Sequence, residues 1–320
     1  MLTIERKVKK VEGRGLARFF ELRGREITES AGVLWYGVPG RIFISSPPQL
    51  LPDPEPADIR SLLRRTRGLG VRYPSVKRPG LASGLYVCRN KDYELRSVQN
   101  GLRGNIRRGL ENCEVRRVPL DDLLAQGLEL NLDTMERQGH YDAEFGEASQ
   151  WRRMVEAMDQ CAEITPWGAF VGDRLAAYAI TCQEDGWLHI LHRMSRLSDL
   201  ELRPNQALDF TITRQLATDD DIEAICFGSI DLAAGPGLHE YKLGMGYEAT
   251  AHNSVLELHP AAAPLLTSAR FVGSLKSLRR IAPKNQFVER AITVFEGARM
   301  CRLGIAGSQR TEPVELKRIS

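Results

Sequence analysis

Leucines at 123, 124, 128, 130 and 132 fall near helical spacing, which predicts a helix over Leu120–Gln138. Trp151, Met154, Val155 and Met158 repeat that spacing and predict a second helix over about 148–160. The pattern then changes. "WGAFVGD", "RLAAYAITCQ" and "WLHILHRMS" are apolar runs of strand length, and "GDR" and "EDG" between them read as tight hairpin turns. Pro204 opens a helix to about Thr218, since proline suits the first helical turn. "IEAICFGS" is an apolar strand, and "YEATAHNSVLEL" is the last one.

Upstream, a helix carrying Arg103, Arg107 and Arg108 ends near Asn112, and "CEVRRV" is a short strand. Earlier still, "GVPG" joins strands over 33–36 and 41–45. Asp58 is placed to cap a basic helix over 59–69, and "GVRYPS" and "GLYVCR" are short strands. From Pro260 onward the chain reads as helical and basic, then as a polar tail. The expected organisation is a reduced N-terminal lobe over 1–95, a main α/β domain over 96–260 and a helical extension with its tail over 261–320. A strand, a helix and a strand over 187–229 predict a parallel pair, because such crossovers join parallel neighbours.

At 320 residues the chain exceeds one ordinary domain, which favours two lobes or one large domain. A net charge of +3 is too mild to argue for nucleic acid by itself. Cys88, Cys113, Cys161, Cys182, Cys226 and Cys301 are scattered without a C-x-x-C pair, so they read as reduced structural thiols, with no metal site implied. The N-terminal segment lacks the apolar core of a secretory signal, and no apolar run spans a bilayer. A cytoplasmic location is the expectation.

The order of elements over 99–258 resembles that of the GNAT acyltransferases. Within it, "NIRRGLENCEV", "WGAFVGDRLAAYAITCQEDGWLHI", "RPNQALDFTITRQL" and "GLHEYKLGMGY" follow one another as the entry helix, central hairpin, proline-led helix and aromatic-lysine closing motif of FemAB-type transferases. The resemblance implies an α/β (α+β) fold, a GNAT-like mixed sheet flanked by helices, with a smaller truncated GNAT-like lobe before it. It also implies acyl or aminoacyl transfer from an activated donor, aminoacyl-tRNA among them, to an amine, with no tightly bound cofactor. The long helical arm of the peptidoglycan-building members has no counterpart here, so the acceptor is open. The loop "RMSRLSDLELRPNQ" lacks the glycines that cradle the coenzyme A pyrophosphate, which argues against a conventional acetyl-CoA enzyme. An acyl-CoA or acyl carrier protein donor and a catalytically silent binding protein are the alternatives.

The resemblance places Lys242 at the donor's phosphate or the reacting carbonyl, as the catalytic candidate. The plainer reading is a lysine snorkelling over Tyr241 or Tyr247. Arg103, Arg107 and Arg108 are substrate-binding candidates, because guanidinium holds carboxylate or phosphate in a fork, or else a solvated helix face. Asn205 or Arg203 can partly replace the missing cradle. His239 and Tyr241 flank Lys242 and join the candidates. His189 and His192, three apart on one strand, are expected on opposite sides, with His192 nearer the cleft. The basic residues Arg60, Arg64, Arg65, Arg67, Arg72, Lys77 and Arg78 read as a solvated surface or as contact with a phosphate-rich partner, tRNA or an anionic membrane.

Overall fold

The computed structural model describes residues 11–139, 141–230, 236–281 and 286–304. The first ten residues and the polar tail expected beyond 304 lie outside them. In chain order the elements are α1 (Arg14–Leu22), β1 (Ile27–Ser30), β2 (Val33–Val38), β3 (Ile42–Ser46), α2 (Pro56–Thr66), β4 (Gly70–Ser75) and β5 (Leu81–Cys88). There follow α3 (Asn100–Asn112), β6 (Glu114–Arg117), α4 (Leu120–Gln138), α5 (Ala143–Gly146), α6 (Ala148–Asp159), β7 (Ile164–Val171), β8 (Arg174–Glu184) and β9 (Trp187–Ser195). The chain continues through α7 (Pro204–Thr213), α8 (Gln215–Thr218), β10 (Ala224–Ser229), α9 (Pro236–Gly244) and β11 (Glu248–Leu258). It ends in α10 (Ala263–Leu266), α11 (Ala269–Ile281) and α12 (Gln286–Leu303).

Two compact units result, one from the residues up to 36 with 85–250, the other from 37–84 with 251 onward. These bounds differ from the sequence-based ones at 95 and 260. In the second unit β11 pairs antiparallel with β4, Leu258 opposite Gly70, and β3 pairs parallel with β4. That pairing of distant segments leaves no local pattern to read.

In the first unit β6, β7, β8 and β9 form an antiparallel run. Next, β10 pairs parallel with β9, as the crossover predicts, and antiparallel with β5. The sheet is therefore mixed. Helices cover both faces, as alternation along β8 requires. Tyr178, Ile180 and Cys182 pack with Leu123 and Leu130 of α4 and Trp151 and Met154 of α6. Ala177 and Ala179 pack with Ile106 of α3 and Leu208 and Ile212 of α7. The "EDG" turn is a tight hairpin in which Asp185 and Gly186 both have positive φ, 49° and 79°.

Two local expectations change, and one helix had no expectation at all. Asp58 makes no cap: α2 starts with Pro56 after the N-cap position Glu55. The helix from Pro204 stops at Thr213 and restarts as α8. And α1 carries no local start signal. Its first amides, on Gly15 and Leu16, donate to the Glu184 carboxylate at the end of β8, so a residue 169 positions away supplies the cap.

Candidate functional site

The parallel ladder between β9 and β10 covers Trp187, Leu188 and His189 opposite Ala224, Ile225 and Cys226. Both strands run on, β9 to Ser195 and β10 to Ser229. On its other side β10 shifts register against β5 between Cys226 and Ser229. Phe227 and Gly228 therefore lie where both ladders become irregular, and Gly228 adopts φ 75°.

Lys242 occupies this point. It lies in the last turn of α9, only 7% exposed, and its Nζ donates to the Phe227 carbonyl oxygen at 2.7 Å. The ammonium stands 4.4 Å from the centre of the Tyr86 ring and 4.8 Å from that of Phe227. Burial lowers its pKa to about 8, helped by the Arg193 charge and opposed by Asp209. The snorkelling alternative does not hold: the cation is inside, on a backbone carbonyl and two aromatic faces.

Tyr241 and His239 are brought to the same place. The Tyr241 phenol donates to Asp209 Oδ2 at 2.6 Å, and the same carboxylate oxygen pairs with Arg193 of β9. Asp209 is fully buried in α7, and burial pushes its carboxyl up against the pull of Arg193. The Arg193 guanidinium lies 5.4 Å from the centre of the Phe227 ring, joining β9 to β10 past the end of their ladder. His239, one turn before Lys242, holds its Nδ1 2.7 Å from the Tyr86 hydroxyl while its ring is exposed.

The remaining candidates are placed elsewhere. Arg103 donates from Nε to the Val98 carbonyl and from Nη2 to the Arg96 carbonyl, both at 2.7 Å, so it ties down the turn before α3. Arg107 and Arg108 are exposed on α3. Asn205 lies in the first turn of α7, its Oδ1 buried without a hydrogen-bond partner among the described residues.

His192 is on the opposite face from Arg193. An extra residue in β9 sets His192 opposite Ile180 but Ile190 opposite Thr181, so His189, opposite Cys182, shares a face with His192. The expected opposition of the two histidines is thereby corrected. His192 packs edge-on against Phe145, ring centres 4.5 Å apart, and burial drives its pKa down to about 3. Its neighbour Arg193 is the β9 residue that reaches the cluster.

Two glycines beside Lys242 serve packing. A Cβ on Gly244 would stand 2.8 Å from Gln99 Oε1 and from Leu102, and one on Gly246, at φ 88°, 3.1 Å from the Ser97 carbonyl. Both let the end of α9 approach the start of α3, where the Gln99 amide donates to the Gly244 carbonyl at 2.8 Å.

Sequence reading missed Tyr86, Arg193, Asp209 and Phe227. Asp209 carried a signal, a lone acid among apolar residues in "ALDFTIT", because a buried carboxylate needs a partner. Among the described residues no group of three His, Cys, Asp or Glu side chains is arranged to hold a metal.

FemX has a structure that superposes on 80% of this chain and 94% of its own, with TM-score 0.55 at 12% identity. This is the FemAB-like GNAT fold. The C-terminal domain of a putative lysylphosphatidylglycerol synthetase from Agrobacterium fabrum shares it, over 75% of this chain and 86% of that one, with TM-score 0.53 and 12% identity. No protein-family model and no curated protein sequence matches the chain. Within the fold, the Lys242 cluster sits where the central parallel pair parts.

Proposed function

We propose that the chain transfers an acyl group, carried as an aminoacyl ester, from an activated donor to an amine acceptor at the parting of β9 and β10. One observation carries this reading: the buried Lys242 ammonium bonded to the Phe227 carbonyl just past the last parallel pair. In ester aminolysis the amine nitrogen bonds to the carbonyl carbon, the carbonyl oxygen takes negative charge, and the C–O bond then breaks. The amine gives up a proton and the departing oxygen gains one. The developing oxyanion needs preorganised positive charge. Lys242 commits one donor to Phe227; an ammonium has three. Its low-dielectric surroundings strengthen its pull on a nearby oxyanion. The Arg193–Asp209–Tyr241 network fixes the helical turn that carries it.

The start of α7 supports an ester donor over coenzyme A. A pyrophosphate cradle needs free amides at a helix N-terminus. Here Pro204 has none, and the Gln206 and Ala207 amides donate to the Arg203 carbonyl at 3.1 and 3.2 Å. A Cβ on Gly109 of α3 would stand 2.5 Å from that carbonyl, so α3 presses directly on the turn. One structural neighbour is the C-terminal domain of a putative lysylphosphatidylglycerol synthetase, a name that contains an aminoacyl group.

The test supplies radiolabelled bulk aminoacyl-tRNA or acetyl-CoA together with a panel of amines. The expected result is label moving from charged tRNA to amine, with no saturable acetyl-CoA binding in calorimetry. Acetyl-CoA binding at low micromolar concentration, about −8 kcal/mol, together with acetyl transfer would overturn the donor assignment.

A further inference from the structure

We infer that the second unit holds a separate binding groove for a small ligand bearing two or more phosphate groups. The groove, about 670 Å³, is lined by Arg41, Arg64, Arg67 and His259 over a floor that includes Leu63 and Leu69. No acidic side chain lines it. None of the three arginines has an ion-pair partner among the described residues, whereas Lys77 and Arg78, from the same basic run, both pair with Asp53. Three unpaired guanidiniums around one concavity repel one another, and a polyanion relieves that repulsion with forked hydrogen bonds. His259 adds an imidazole ring to the lining. Its Nδ1 accepts from the Ala261 amide at 3.3 Å, which leaves the proton on Nε2.

Backbone conformation supports a purpose for two of these side chains. Arg41, in the turn before β3, has φ 60°, and Arg67, ending α2, has φ 52°. Both are left-handed positions that glycine fills at no steric cost, and each has a glycine next to it in sequence. The chain nevertheless sets arginine at both. The lining has no Phe, Tyr or Trp platform for a run of stacked bases and no large exposed apolar side chain to enter a bilayer, so a compact soluble polyphosphate fits it better than RNA or a lipid surface.

The double variant Arg41→Gly/Arg67→Gly tests this cleanly, because glycine suits both backbones and folding is spared. Calorimetry at physiological salt with inorganic tripolyphosphate is expected to show one saturable site in the wild type. Affinity should fall at least about tenfold in the variant, whose melting temperature is unchanged or higher. Absence of tripolyphosphate binding, or equal binding by both proteins, would overturn the inference. So would binding to RNA or to phosphatidylglycerol vesicles that depends on the two arginines while tripolyphosphate is ignored.

Discussion

The Lys242 ammonium donates to the Phe227 carbonyl at 2.7 Å, so a cation on α9 closes the irregular end of β10. Its pKa is about 8 in the fold against an ordinary 10.5. Below pH 8 the folded and unfolded chains both carry the proton, and the fold bears the full cost of burying it. Between 8 and 10.5 the unfolded chain binds more protons, so stability from this group rises with pH across that window. Urea denaturation at pH 8 and pH 10 should therefore show a larger gain for wild type than for Lys242→Met. The difference should be about 2 kcal/mol. Parallel pH profiles would put the ammonium in water.

Asp209 makes the second prediction. Asp209→Asn leaves Arg193 without its charge partner inside the protein, and breaking such a pair costs about 3–5 kcal/mol. Tyr241→Phe removes one hydrogen bond while the ion pair stays, and should cost about 1–2 kcal/mol. Chemical denaturation of both variants checks the order. A near-neutral Asp209→Asn would contradict the buried pair.

Gly109 and Gly104 lie on the same helix and should respond in opposite directions. A methyl on Gly109 collides with the Arg203 carbonyl at 2.5 Å and with the Ala207 Cβ at 3.0 Å, whereas nothing stands within 4 Å at Gly104. Gly104→Ala should gain up to about 1 kcal/mol of helix stability. Gly109→Ala should lose about 1–3 kcal/mol as α3 is forced from α7. Melting curves that moved together would refute the close contact.

The periodic segments were legible in the sequence because one face of each repeats. Leu120–Gln138 forms the expected helix, with Leu123 and Leu130 buried and Leu132 exposed, and the β9–β10 parallel pair follows from the helix between them. What was hidden depends on distance or on one extra residue. The amides of α1 are held by Glu184, which no window around residue 14 contains. With the extra residue in β9, Arg193 and not His192 reaches the Lys242 cluster, and a bulge leaves no mark on apolar alternation. Lys242, Tyr241 and His239 could be read together because they share a short motif. Tyr86 and Asp209 join them from other elements, which only folding brings close.

The most direct measurement is turnover of Lys242→Met in the aminoacyl-transfer assay. Methionine keeps most of the buried stem and removes the charge. Relief of about 3 kcal/mol of burial cost offsets the unpaired Phe227 carbonyl, itself worth about 1–3 kcal/mol, so the melting temperature should change little. A lost charge–oxyanion contact of about 2.7–4 kcal/mol corresponds to a fall in turnover of roughly 100- to 1000-fold. That fall, in a protein that melts normally, is the predicted result. Wild-type turnover in the variant would contradict the account.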